Sequence, residues 1–483
     1  MLLNELFKGA PAVEIEQLST DSRSRMKNAI FFCYKGIKYN GHQFVDEAIK
    51  NGAIVIVHQD NLSCDKSAIY IRVNNVDNAL QKCAEKFYDD PGSHLKTIIT
   101  AGSYGRSSVN YILSELLNLK QRCGQIGVLG IRFGDNHLLN TLPALTLLDN
   151  CRYMTKMIQE GFEACVFETS VLGLSYHKMD MIKPDVFIFT NTGLQSRDYR
   201  EVGQDYYEVL RRYLYTLENT TLIVFNRDDS SYNELRGAIG ERLLTFGLTT
   251  DADFMIDEIV TSNKGSSFTL RHLQESYRIT TPLLGINNIR NITAALVGLY
   301  GMGYDLNDFI EPLTKLPCLN GVMEKIDVDG DFNVYVDCGK TIESLNDNLA
   351  FLKSIVTNGR LIAIVGVNGF DDSERIANLV KTMQKHADLT IYTEDNSEDR
   401  EISSTLNIVN EYTLAGCSLL VERRYEAIEI ASGIMRKDDI LVVFGKGNEN
   451  FLVRSLAKDY YETDKVNLLA YFKKRYDEEN EEY

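Results

Sequence analysis

The chain has 483 residues, 44% hydrophobic and 25% charged, which is the composition of a soluble globular protein with room for about three cores at roughly 100–200 residues per domain. Its 51 basic and 68 acidic side chains leave a net charge of -17, which excludes a broad nucleic-acid footprint and binding to anionic lipid while leaving room for local basic pockets. No apolar run approaches the roughly 18 residues of a membrane span, and Met1 is followed by no signal-like segment, so the expected location is the cytoplasm. The 9 cysteines are scattered and form no C-x-x-C pair, so neither a disulfide framework nor a zinc site is indicated.

In chain order, the first segment carries Asp21-Ser22-Arg23, whose pattern alone favours a surface turn over a loop that hydrogen-bonds a polar ligand. A helical pattern follows, apolar at Phe44, Val45, Ala48 and Ile49, closed by Gly52 and succeeded by a strand from Ala53 to Val57. Together these predict a small α/β domain over residues 1–92, with a turn or linker at Asp89 to His94.

The stretch Ile98 to Val109, IITAGSYGRSSV, runs an apolar strand into Gly-Ser-Tyr-Gly and then into small hydroxylated residues that can open a helix. Glycines let backbone amides crowd an anion, the helix N-terminus contributes its positive end, and a Ser hydroxyl can ligate Mg²⁺. Arg106 stands where a phosphate loop would carry Lys, and Arg is a planar fork rather than a compact ammonium. The turn from Thr100 to Ser108 is therefore expected to receive a polyphosphate, unless the Arg106 guanidinium fills it or its amides face inward. Downstream, Ala164 to Ser170 and Val186 to Thr192 read as buried parallel strands whose ends carry Glu168, Thr190 and Asn191. Ligands of open α/β sheets sit at such ends, and a glutamate there can hold Mg²⁺; a helix-capping acid and a turn Asn are the equal alternative. With a further strand at Thr221 to Asp229 and GINNIRN at Gly285 to Asn291, residues 93–318 predict a P-loop-like, doubly wound parallel sheet.

From 319 to 483 the chain alternates strands at Val334 to Thr341, Arg360 to Gly369, Asp388 to Asn396 and Asp439 to Glu449 with helical stretches, which predicts a Rossmann-like α/β domain with polar loops after its strands. The acidic tail after Tyr476 reads as a solvated end.

The order and spacing of these motifs resemble the Mur ligases, most nearly the branch that adds the third amino acid to a UDP-N-acetylmuramoyl-dipeptide. Asp21 to Arg23 and the G-x-x-x-x-G-H-x-F pattern from Gly36 to Phe44 look like the family's uridine-nucleotide domain, which implies substrate contacts at Ser22, Arg23 and His42. The family's G-T-x-G-K-T-T is matched by Gly102, Ser103, Tyr104, Gly105, Arg106, Ser107 and Ser108. Its E-V-S-S-H-G-L is similar to Glu168 through Leu174, its T-N to Thr190 and Asn191, and its G-x-x-N-x-x-N to Gly285, Asn288 and Asn291. The amino-acid module is matched at Asp337, Thr341, Arg375, Asp395, Asn396, Gly445, Lys446, Gly447 and Glu449.

This resemblance implies three α/β domains and ATP-dependent amide formation through an acyl phosphate, with ATP and Mg²⁺ as cofactors and a UDP-N-acetylmuramoyl-peptide-like or other nucleotide-linked acid and an amino acid as substrates. It implies catalytic roles for Arg106, Glu168 and Lys446 and Mg²⁺ ligation by Ser107 and Glu168. Cofactor contacts would come from Gly102, Ser103, Gly105, Arg106, Ser107, Ser108, Asn288, Asn291 and Asp337. Substrate contacts would also come from Thr190, Asn191, Arg375, Asp395, Asn396 and Glu449. The chain departs from the family at these same parts. Arg106 replaces the loop Lys, Leu172 the His after the glutamate, and Leu210 falls where the carbamylated Lys is expected, beside Arg211 and Arg212. G-R-M-E becomes Gly321-Val322-Met323-Glu324, D-N-P-R becomes Asp395-Asn396-Ser397-Glu398, and Asn448 replaces the His of G-K-G-H-E. Removal of one transition-state stabiliser costs about 10²–10³ in rate, so impaired catalysis is expected, or a noncatalytic homologue that binds a nucleotide-sugar peptide or a protein partner.

Overall fold

The structure is a computed structural model that describes residues 1–35, 40–63, 67–138, 145–193, 196–329, 332–455 and 457–481. It is mixed α/β with several largely parallel sheets, and its backbone divides into two compact units. The first comprises Met1–Ile98, Leu117–Thr169 and Gly173–Asp185; the second comprises Ile99–Leu116, Ser170–Leu172 and Val186–Tyr483.

In the first unit the strands Gln17–Ser19, Ala29–Phe32, Ala53–His58 and Ile69–Arg72 pair in that order, all parallel. Parallel strands need both faces covered, and Ala29–Phe32 is buried at every residue. One face packs on the helix Val76–Phe87, through Val76, Leu80, Cys83 and Ala84, and on Leu147, Leu148 and Cys151 of the helix Leu147–Gln159. The predicted helix before Ala53 is a 3-10 turn, Gly41–Phe44, followed by the helix Val45–Lys50. Gly36, at the head of the G-x-x-x-x-G-H-x-F pattern, lies outside the described residues. This unit also holds the parallel pair Cys123–Gly127 and Ala164–Glu168, with Gly130–Phe133 and Asn136–Leu138 added antiparallel.

In the second unit the end of strand Lys96–Ala101 leads into the helix Arg106–Leu117, and the strands Val186–Phe189, Leu222–Asn226 and Leu243–Gly247 follow outward in parallel. The helix Gly285–Gly301, with a nearly continuous buried run from Asn291 to Leu299, covers this sheet; it is too apolar to sit anywhere but between layers. The expected all-parallel sheet requires correction. Phe254–Ser262, Gly265–His272 and Glu275–Thr281 form an antiparallel meander at its end. The period-2 burial of Glu275–Thr281 and the Asn263-Lys264-Gly265 turn, with Gly265 at φ +146°, were the signals for it.

The last sheet has the order Glu324–Ile326, Asn333–Asp337, Ile440–Phe444, Leu361–Val367, Leu389–Glu394 and Ser418–Leu420, parallel except for its first strand. Its central strands are buried on both faces, as a doubly wound sheet demands. The expected acidic tail is instead part of the helix Asp464–Glu481, whose residues 476–478 are exposed; Glu482 and Tyr483 lie outside the described residues.

Candidate functional site

The strand end at Ala101 turns through Gly102, at φ +138°, and Gly105, at φ +77°, into the helix that begins at Arg106. Both glycines are required sterically. A Cβ on Gly102 would meet Thr190 Oγ1 at 2.2 Å, and one on Gly105 would meet Asn291 Oδ1 at 2.4 Å. The predicted loop and the T-N pair are thus brought together. The Ser103 amide donates to the Asn191 carbonyl at 3.2 Å and the Tyr104 amide to Asn191 Oδ1 at 3.1 Å. In return Thr190 Oγ1 and Asn191 Nδ2 each donate to the Tyr104 carbonyl at 2.8 Å. Ser103 Oγ donates to the Thr192 carbonyl, and Thr192 is held by Asp229 through both its amide, at 2.9 Å, and its hydroxyl, at 2.7 Å.

Arg106 turns back on this loop, its Nη1 donating to the Gly102 carbonyl and, at 3.5 Å, to the Ser103 carbonyl. The amides of Ser103 and Tyr104 thus have acceptors within the protein, and a guanidinium lies on the carbonyls beside them. Ser107 and Ser108 lie in the first turn of the helix. Glu168 ends its strand in the first unit, buried, and accepts from the Val128 amide at 3.1 Å. Leu210, where the resemblance implies a modified lysine, is buried in the apolar face of the helix Tyr206–Thr216. Arg211 does not take its place: it pairs with Glu208 at 3.2 Å, and Arg212 is exposed.

Beside the loop is a narrow recess of about 260 Å³, its open mouth included, lined by Tyr104, Thr190, Asn191, Asn226, Phe246, Asn287, Arg290, Asn291 and Ala294. Of the G-x-x-N-x-x-N pair, Asn291 faces it, whereas Asn288 donates to the Leu284 carbonyl of its own helix. Arg290 pairs with Asp347 at 2.6 Å, and Asn287 donates to Asn348 Oδ1 at 3.1 Å. Asn348 in turn donates to Asp337 at 3.0 Å, and the amides of Met323 and Gly339 donate to the same carboxylate at 2.8 Å. Burial raises the Asp337 pKa against these donors, and the side chain ties the Gly321–Glu324 turn to its sheet.

A second constellation forms after the strands Leu389–Glu394 and Ile440–Phe444. Lys446, fully buried, contacts Asp395 at 2.9 Å, Glu449 at 3.1 Å and Asn396 Oδ1 at 2.7 Å. Lys340, which the sequence reading missed, bridges the other oxygens of Asp395 and Glu449 at 3.2 and 3.3 Å. Burial pushes the Asp395 carboxyl up, but Lys340, Lys446 and Arg424 outweigh it and hold it well below the usual range. Arg375 pairs with Asp371 at 2.8 Å and donates to the Lys340 carbonyl at 2.6 Å; Arg200 also reaches Asp371, at 3.2 Å. Lys340, Asp371 and Arg424 had no sequence signal beyond their type, because their partners are distant along the chain.

The N-terminal residues are placed differently. Arg23 is exposed and chelated by Asp21 of the same turn, while Ser22 donates to Glu47. His42 is buried, its Nε2 accepting from the amides of Gln59 and Asp60 at 3.1 Å, and burial lowers its pKa. It organises the turn after strand Ala53–His58.

These features define a multidomain α/β protein with a phosphate-loop-type strand–helix junction and a separate charged pocket on a second nucleotide-fold-like sheet. Family models match in the same order: Mur ligase family, catalytic domain, over residues 14–88; Mur ligase middle domain over 100–299; and Mur ligase, glutamate ligase domain, over 323–447. The chain belongs to the Mur ligase family. The UDP-N-acetylmuramoyl-L-alanyl-D-glutamate--2,6-diaminopimelate ligase of Bacillus cereus is 28% identical over 462 residues, covering 93% of this chain and 92% of that one. The protein of the same name from Caldanaerobacter subterraneus subsp. tengcongensis is 27% identical over 450 residues, 92% of each chain. A solved structure of a ligase of that name superposes with a TM-score of 0.67 at 22% identity over 99% of each chain. The MurF ligase from Thermotoga maritima in complex with ADP superposes with a TM-score of 0.66 at 17% identity, covering 96% of this chain and 98% of that one.

Proposed function

We propose that this chain is an acid–amino-acid ligase of the peptidoglycan type, joining an amino acid to a UDP-N-acetylmuramoyl-peptide-like acid in the cytoplasm, with ATP-dependent turnover far below that of its relatives. The reaction class rests on the names of relatives that match more than nine-tenths of the chain. In this reading residues 1–92 hold the nucleotide sugar, 93–318 form the ATPase-like module and 319–483 receive the amino acid. The recess at Asn291 and Arg290 would take a nucleoside, and the Lys446–Asp395–Glu449 constellation would orient the incoming amine and its carboxylate. The impairment is carried by one observation: Arg106 lies on the carbonyls of its own loop, where the family's lysine would be free to reach a phosphate. The buried Leu210, in place of a cation or metal support, compounds it.

The test is phosphate release from Mg-ATP in the presence of UDP-N-acetylmuramoyl-dipeptide and an amino-acid panel, with the Bacillus cereus relative assayed alongside. Turnover is expected about 10²–10³ below the relative and raised by Arg106→Lys. Turnover equal to the relative would refute the impairment. The second reading, a noncatalytic homologue that binds the nucleotide-sugar peptide, is favoured by the same loop geometry. It is selected if the substrate binds but neither protein form of this chain, wild type or Arg106→Lys, releases phosphate.

A further inference from the structure

Two sheets of the second unit, the one covered by the helix Gly285–Gly301 and the last one, are tied to each other at two places. Leu284, the residue before that helix, is 6% exposed and sits in the hydrophobic cluster of the last sheet with Leu345, Leu349 and Phe351. Gly285 follows at φ +80°, and a Cβ on it would stand 3.5 Å from the Phe351 ring, so backbone runs against the facing side chain. Asn287 donates to Asn348 Oδ1 at 3.1 Å and to the Ser344 carbonyl at 3.4 Å, and Arg290 pairs with Asp347 at 2.6 Å. Asn287 and Arg290 are one helical turn apart, as are Ser344 and Asp347. Each helix, Gly285–Gly301 and Ile342–Ile355, therefore presents one continuous edge to the other. The second place is Arg200, in the helix Arg197–Val202. It donates to the Phe370 carbonyl at 3.0 Å and pairs with Asp371 at 3.2 Å, in the loop after strand Leu361–Val367. Asp371 is fixed from its own side by Arg375 at 2.8 Å and, at its carbonyl, by Arg400 at 3.0 Å.

A single contact would serve as a pivot, but an apolar seat, an edge of polar bonds and a separate ion pair oppose different motions. Parting the sheets would bring Leu284 into water and separate Arg290 from Asp347 and Arg200 from Asp371. The two ion pairs are shielded, with side chains 21% and 25% exposed in the first and 26% and 5% in the second, so salt screens them less than a surface pair. We propose that these contacts form a constitutive clasp, which joins the central and last sheets in the free protein so that they move as one with no ligand to close them. The recess at Arg290 and the charged pocket at Lys446 are then assembled beforehand. A ligand has no closed state to select, and its affinity is not reduced by a cost of closing. Ligand exchange proceeds through local openings of loops, not through a swing of one sheet away from the other.

The test is single-molecule energy transfer on the full chain without ligand, between dyes on non-natural residues at Leu248 and Leu414, exposed positions on the central and last sheets. Wild type is expected to show one narrow distance population that is the same at about 0.1 M and about 1 M salt. Arg200→Ala/Arg290→Ala should add a second population at longer distance, with far-ultraviolet circular dichroism equal to that of wild type. Wild type with several distances, or with one that lengthens in salt, would overturn the proposal; this arm needs no variant to fold. A folded double variant with the wild-type distribution would overturn it as well. Because no substrate is present, the outcome is independent of whether the chain turns over ATP.

Discussion

Asp395 concentrates the electrostatics of the C-terminal pocket in one side chain. Its carboxyl is held below an unfolded value of about 3.9, so its stabilising contribution is complete at neutral pH and is lost as pH falls through that value toward the lower folded one. Asp337, raised by burial, acts with the opposite sign: it favours the fold at low pH and loses that contribution as pH rises. Asp395→Asn should therefore be less stable than wild type at neutral pH yet lose less stability between about pH 4 and 2, as read by urea denaturation at both ends of that window. An unchanged acid limb would show that the pairing with Lys340 and Lys446 contributes nothing. Arg424 and Asp464, both fully buried, are a harder case, because removing one leaves the other charged in a dry site. Arg424→Ala should cost about 3–5 kcal/mol in equilibrium unfolding, and a loss within experimental error would mean that water reaches the pair. Of these residues Asp337, Asp395 and Lys446 were legible in the sequence, as parts of loops after strands. Arg424, Asp464 and Lys340 matter through partners 40 to 109 positions away, and no local pattern encodes such separations.

Elements were read best where burial and period agree. The strands Val186–Phe189, Leu361–Val367 and Ile440–Phe444 are short apolar runs ending in polar residues, and each was found with its polar end on a loop. The meander from Phe254 to Thr281 was absorbed into a parallel pattern although its period-2 alternation and its hairpin turns are antiparallel-strand signals. The Gly102–Gly105 turn was legible as a backbone shape, but the identity of its hydrogen-bond acceptors was not, because Asn191 lies far away in sequence and reaches the loop only through the neighbouring strand. The fit of that turn against Asn291 gives an expectation for the element as a whole. Gly105→Ala combines a positive φ with a contact of 2.4 Å and should lower stability by more than about 1 kcal/mol, measured as a drop in melting temperature. A variant as stable as wild type would mean that the loop relaxes away from Asn291.

At the scale of the molecule, the order of loops along the chain identified the family although each loop taken alone was weak, and three family models fall in the same order. What the order could not convey is the state of the loop. The sequence set the planar fork of Arg106 apart from the family's loop lysine, and in the structure its Nη1 donates to the carbonyls of Gly102 and Ser103. The chain keeps the family's frame, and in its phosphate-loop-type turn Asn191 receives the amides of Ser103 and Tyr104 while Arg106 lies on the carbonyls of Gly102 and Ser103. The most direct measurement of that claim is the dissociation constant of Mg-ATP, obtained by calorimetry on wild type and on Arg106→Lys. The account predicts weak or undetectable binding to wild type and binding at least about ten-fold tighter to the lysine variant. Binding to wild type as tight as, or tighter than, binding to Arg106→Lys would contradict it.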